Sequence, residues 1–136
     1  MSRILGRYAD AIYALLRFVA GFMFMFHGLQ KILGAFPDPA MPMPTPPVGS
    51  LLWFGGMIEL VGGILILLGL LASWAAFLAS GMMAVAYFMV HQKMGTWPIQ
   101  NHGELAALYC FVFLYIAARG SGPYSVARAL NNPALD

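Results

Sequence analysis

The chain has 136 residues, 61% of them hydrophobic and only 9% charged, and its mean hydropathy is +0.78. That is the composition of a membrane protein of one domain, 1-136, and its formal net charge of +2, scattered along the chain, excludes the dense basic surface that nucleic acid binding requires. The single cysteine, Cys110, excludes an internal disulfide and any Cys-x-x-Cys dithiol site within the chain.

In chain order, Arg3 and Arg7 precede an apolar run that continues into Phe26-His27-Gly28-Leu29-Gln30-Lys31 without a small-residue cleavage pattern. It therefore reads as a retained first span, about Ala11 to Gly34, and not as a signal peptide. Arg17 falls in the inner third of this span, on the helical face that carries Gly21, Phe24, Gly28 and Lys31. It either snorkels to the interface or pairs inside a bundle. The stretch Phe36 to Pro47 then holds closely spaced prolines, which exclude a helix and favour an extended, stiff connection. A solvated linker is its simplest role, and a lid or docking loop the alternative.

The second span, Ser50 to Leu71, is built around Trp53-Phe54-Gly55-Gly56-Met57-Ile58-Glu59-Leu60-Val61-Gly62-Gly63. At 3.6 residues per turn the glycines at 55, 56, 62 and 63 lie within roughly 60° of Glu59, so the carboxylate sits on the smallest face of its helix. A helical glycine costs about 1 kcal/mol relative to alanine. A carboxylate in hydrocarbon costs at least ~2.5 kcal/mol. Both are tolerable when this face packs inward and Glu59 meets a polar partner.

No Asp, Glu, Lys or Arg occurs from Leu60 to Gln92, which is room for more than one crossing at ~20 residues each. The third span, Ser73 to Val90, follows so closely that Leu71-Ala72-Ser73 must be the bend of an antiparallel hairpin. Ala76, Ser80 and Ala84 give it a small-residue face for packing. The fourth span, Glu104 to Ala118, is short, ~22 Å of helix against a ~30 Å core. The preceding Trp97 to Gly103 is then expected to be non-helical backbone near membrane depth, lining a cavity that opens outward. The fold class is all-α: a polytopic membrane protein with an antiparallel four-helix transmembrane bundle. Arg3, Arg7, Arg119 and Arg128 at the termini outweigh Lys31 and Lys93 in the opposite loops, which places both termini in the cytoplasm.

A repeat runs through the chain. His27, Gln30-Lys31 and Gly34 followed by Glu59-Leu60 parallel His91, Gln92-Lys93 and Gly95 followed by Glu104-Leu105. Two repeated helical hairpins related by a pseudo-twofold axis along the membrane normal would bring Glu59 and Glu104 face to face. Glu59 lies ~13 Å down its span and His27 ~10 Å from the end of its own, with His91 and Glu104 shallower. The polar groups thus gather in one layer and form no path across the bilayer, which argues against a channel or ion transporter.

These residues resemble the DoxX family of small four-span bacterial membrane proteins. The resemblance is carried by Phe26 to Lys31, Trp53 to Gly63, Ala86-Tyr87-Phe88-Met89-Val90-His91, Trp97, Asn101-His102-Gly103-Glu104-Leu105-Ala106 and the tail Arg119 to Ser125. One departure is His102, where family members often have a second glycine. The resemblance implies a bacterial inner-membrane location and a link to membrane redox chemistry, since relatives include subunits of a thiosulfate:quinone oxidoreductase and proteins of oxidative-stress defence.

The candidate site is His27, Lys31, Glu59, His91, Asn101 and Glu104, with Trp97 nearby. In a quinone-linked redox subunit, His27 and His91 would bond the quinone oxygens while Glu59 and Glu104 exchange protons, and Lys31, Trp97 and Asn101 would help to hold the ring. Electrons would come from a partner redox protein or a bound cofactor. The alternative is a non-catalytic scaffold or assembly factor that binds a larger membrane complex or further copies of itself. A b-type haem on His27 and His91 is a lesser reading, and no metal set is assigned.

Overall fold

The computed structural model describes residues 2–37, 39 and 44–136. The central part of the proline-rich 36–47 connection, residues 38 and 40–43, therefore lies outside the described residues. Every regular element among the described residues is helical, and four long helices dominate: α1 (Ala9–Leu33), α2 (Leu51–Leu68), α3 (Ala72–Met89) and α4 (Glu104–Arg119). The first three are long and apolar enough to cross a membrane, α1 together with the helical turn that leads into it. With 16 residues, α4 reaches about 24 Å and falls short of that length.

In α1 the buried residues Tyr13, Arg17, Ala20, Gly21, Phe24 and Gly28 recur every three or four positions, so one stripe of the helix faces inward. That stripe packs along the whole of α2. The two backbones come together at their glycines. A Cβ added at Gly63 would lie 2.7 Å from the Met25 backbone nitrogen, and one at Gly21 would lie 2.6 Å from that of Leu67. Only a hydrogen fits at either position. Close approach of this kind is how helices in an apolar solvent gain packing energy, because burial against lipid supplies little.

Small residues do the same for α3 and α4. Ala75, Ala76, Ala79 and Ser80 of α3 meet Ala106, Tyr109, Phe113 and Ile116 of α4, and the Ser80 hydroxyl donates to the Cys110 carbonyl at 2.8 Å. The chain thus pairs α1 with α2 and α3 with α4. The pairs join through α3, which packs on the second half of α2, and through the aromatic contacts of Phe24 with Tyr109 and Phe113.

The α2–α3 bend takes the form expected of a tight hairpin, with Gly69 at φ +66° and Leu71 at φ +51°. Arg17 explains why this end is so constrained. Its guanidinium is buried between the helices and donates to the carbonyls of Ile66 (2.5 Å), Leu67 (2.8 Å) and Tyr124 (2.6 Å). It therefore does not snorkel: the carbonyls at the C-terminus of α2 supply the negative partial charge that the cation needs. A side chain at position 69 would collide with that guanidinium as well as adopt the left-handed region. The tail after α4 closes the same end, with the Tyr13 hydroxyl donating to the Gly120 carbonyl and Arg119 paired with Asp10 at 2.5 Å.

The expectation of non-helical backbone from Trp97 to Gly103 is corrected by a single helical turn, Pro98–Asn101. Proline at the first position of that turn loses no hydrogen bond, and the turn stops at His102, which takes φ +54°. The left-handed conformation accounts for glycine being a natural occupant there.

Candidate functional site

Above the Ile58–Gly62 segment, α2 and α3 part, and a cavity of about 470 Å³ opens between them. Its walls are mostly apolar, including Leu52, Phe54, Val85 and Met89, all of them exposed on the outer surface of the helices. Its polar lining is His27 and Lys31 of α1, Glu59 of α2, His91 after α3, His102 before α4, and Tyr109 of α4.

Glu59 is buried to 3% exposure. Its Oε1 accepts from the Lys31 ammonium at 2.5 Å, so the inward charge has a partner one helix away. Lys31 reaches it because Gly56 of α2 lies against the Lys31 stem: a Cβ there would come within 3.1 Å of the Lys31 Cβ. The other carboxylate oxygen, Oε2, is buried with no hydrogen-bond partner, and so is the Tyr109 hydroxyl. Each is an unusual feature, since buried polar atoms almost always find partners.

The backbone at Glu59 is unusual too. Ile58–Gly62 forms a turn of π-helix inside α2, a widened turn that tends to occur where a side chain is being aimed for a function. Gly62 and Gly63 follow at once, and the helix resumes as Gly63–Leu68. The extra residue rotates Glu59 relative to the first half of α2 and leaves its carboxylate between Lys31 and the cavity.

His91 enters from the end of α3. Its Nδ1 lies 3.0 Å from the Asn101 carbonyl. A carbonyl only accepts, so Nδ1 carries the proton and Nε2 of the neutral ring is an acceptor. Asn101 is fully buried and works as a clasp for this loop. Its amide donates to the Gly95 carbonyl at 2.9 Å, and its side-chain oxygen accepts from the Gly103 N–H at 2.8 Å.

The residues singled out from the sequence thus divide. His27, Lys31, Glu59 and His91 come together on one cavity. Asn101 does not line it but holds His91 and the loop. Trp97 is 65% exposed and away from it. Glu104 is exposed in the first turn of α4, so the expected face-to-face arrangement with Glu59 does not form. The inward stripe of α4 runs through Ala106, Tyr109, Phe113 and Ile116, and position 104 is about 200° of helix away from Ala106. Tyr109 occupies the place that the repeat assigned to Glu104. Its position on the 106-109-113-116 stripe was readable from spacing alone, whereas the left-handed turn that brings His102 to the cavity left no signal in its neighbours.

Taken together, apolar helices of membrane-crossing length and a buried ion pair beside an apolar cavity define a helical integral membrane protein with an internal polar centre. The DoxX family model matches residues 12–92. An uncharacterized protein of Haemophilus influenzae is similar over 132 residues at 43% identity, covering 94% of each chain. The chain belongs to the DoxX family. No solved structure matches it.

Proposed function

We propose that this chain is a quinone-handling membrane subunit that binds the ring in the cavity between α2 and α3 and works with a partner redox protein. The reading includes a bacterial inner-membrane location, α4 as a short fourth span, and both termini in the cytoplasm, so that the cavity lies toward the outer leaflet. The observation that carries it is the pair of buried, unpartnered polar atoms, Glu59 Oε2 and Tyr109 Oη, on residues lining a mostly apolar cavity. Ligand sites commonly take this form, a volume of ~300–1,000 Å³ with a few placed polar groups.

A quinone ring fits the groups present. It is flat and apolar, its oxygens need hydrogen-bond partners, and it resides in lipid. The parted α2 and α3, edged by exposed Leu52, Phe54, Val85 and Met89, suit entry from the bilayer without passage through water. Such a ring supplies two-electron, two-proton chemistry. The chain's share is to orient it, exclude water and move a proton: Lys31 pairs with Oε1 of Glu59, and the unpartnered Oε2 is the group to take a proton from a hydroxyl of the reduced ring. His91 Nε2 is a second acceptor, fixed by the Asn101 carbonyl.

The test is titration of the purified protein in lipid nanodiscs with short-chain ubiquinone and menaquinone analogues. Saturable binding that weakens in Tyr109→Phe and in Ala86→Trp, which fills the cavity, supports the reading. Absence of saturable binding, with stable co-purifying membrane proteins in mild detergent, favours a scaffold role.

A further inference from the structure

We propose that the cavity selects the reduced, hydroxyl-bearing form of its ring, a quinol, over the oxidised quinone. This rests on the reading that the cavity holds a quinone-type ring, and it follows from which groups accept hydrogen bonds and which donate them. An ionised carboxylate only accepts. Glu59 is ion-paired to Lys31 through Oε1, and its buried Oε2 has no partner, so a hydroxyl donor is the complement it lacks. His91 has committed its N–H to the Asn101 carbonyl, so the nitrogen left to a ligand is again an acceptor. The Tyr109 hydroxyl, unpartnered in the same wall, both donates and accepts.

A quinone carbonyl has no proton to offer. Next to Glu59 it would set lone pair against lone pair and leave Oε2 without a partner, and the lining's donors other than Tyr109, on Lys31, His27 and His102, belong to more exposed residues. A quinol hydroxyl donates to the carboxylate and still accepts from the tyrosine, and its second hydroxyl matches the acceptor on His91. Lys31 does not reverse this balance. Its side chain is 26% exposed against 4% for Glu59, so the acceptor is the deeper member of the pair. A bond to a charged acceptor inside a dry site outweighs a neutral one, and leaving that acceptor unmet is costly.

The experiment compares short-chain ubiquinol, held reduced by dithionite under argon, with the matching ubiquinone, on the wild-type protein in nanodiscs. A pair that cannot cycle between quinol and quinone, 2,3,5-trimethylphenol and its methyl ether, removes any effect of turnover. The expected result is binding of the hydroxyl forms about 10-fold tighter or more than that of the carbonyl or ether forms. In Glu59→Gln, whose amide donates as well as accepts, that ratio collapses. Equal affinity of the wild type for the two forms, or tighter binding of the quinone, overturns the selectivity while leaving a quinone site in place. Failure of either form to bind removes the quinone site itself, and the selectivity with it.

Discussion

At the scale of single residues, Lys31 and Glu59 are interdependent. Glu59 is 3% exposed, so removing its cation leaves a buried charge with no compensation. Lys31→Met is expected to destabilise the protein by about 3–5 kcal/mol, while the double variant Lys31→Met/Glu59→Gln recovers much of that loss. Thermal unfolding in detergent of both variants checks this, and equal destabilisation by single and double variants would contradict it. Tyr109 behaves oppositely. Its hydroxyl has no partner, so Tyr109→Phe is expected to leave the melting temperature unchanged or raise it while weakening ring binding. Loss of stability with unchanged binding would mark the hydroxyl as a packing group. The carboxylate itself was visible in the sequence, because a Glu flanked by glycine pairs has few structural excuses in an apolar run. Its partner was not: nothing in the spacing decides whether Lys31 points to Glu59 or to the interface, since both are open to a long side chain near a helix end.

At the scale of elements, the helices are held by what is missing from them. Gly63→Leu is expected to push α1 from α2 and cost more than about 3 kcal/mol, as overpacking against backbone cannot be relieved by a rotamer change. Gly81 is the control. A Cβ there meets nothing within 4 Å, so Gly81→Ala should be neutral or stabilising by up to about 1 kcal/mol. Unfolding of the two variants side by side tests whether glycine matters through packing or through helix propensity. Helix identities and the tight α2–α3 bend followed from hydropathy and from the short connection. The π turn at Ile58–Gly62 did not, because the sequence there continues an ordinary helical pattern and the extra residue is accommodated by tertiary contacts. Glu104 illustrates a second limit. The repeat matched its letters to Glu59, but where α4 starts decides which residue faces inward, and a helix start is set by the Asn101 clasp and the Gly103 N–H that it holds.

At the scale of the whole molecule, one end is closed and polar and the other is parted and apolar. Arg17 on the α2 carbonyls, Tyr13 on Gly120 and Arg119 on Asp10 lock the end where both termini lie. The opposite end has an open cleft between α2 and α3 with Glu59 at its wall. Arg17→Leu is therefore expected to loosen the closed end, seen as faster hydrogen exchange at Ile66 to Gly69 and in the tail around Tyr124, while Ala86→Trp should block the cleft without that effect. On this reading the cleft beside Glu59 receives a quinone-type ring. Photolabelling with an azidoquinone in nanodiscs, followed by peptide mapping, tests it most directly. Modification is expected in the Leu52 to Glu59 and Met82 to Met89 segments, suppressed by unlabelled short-chain quinol and by Ala86→Trp; label confined to the outer surface at Phe18, Phe22 or Phe111, unaffected by either, would mean that no ring enters the cleft.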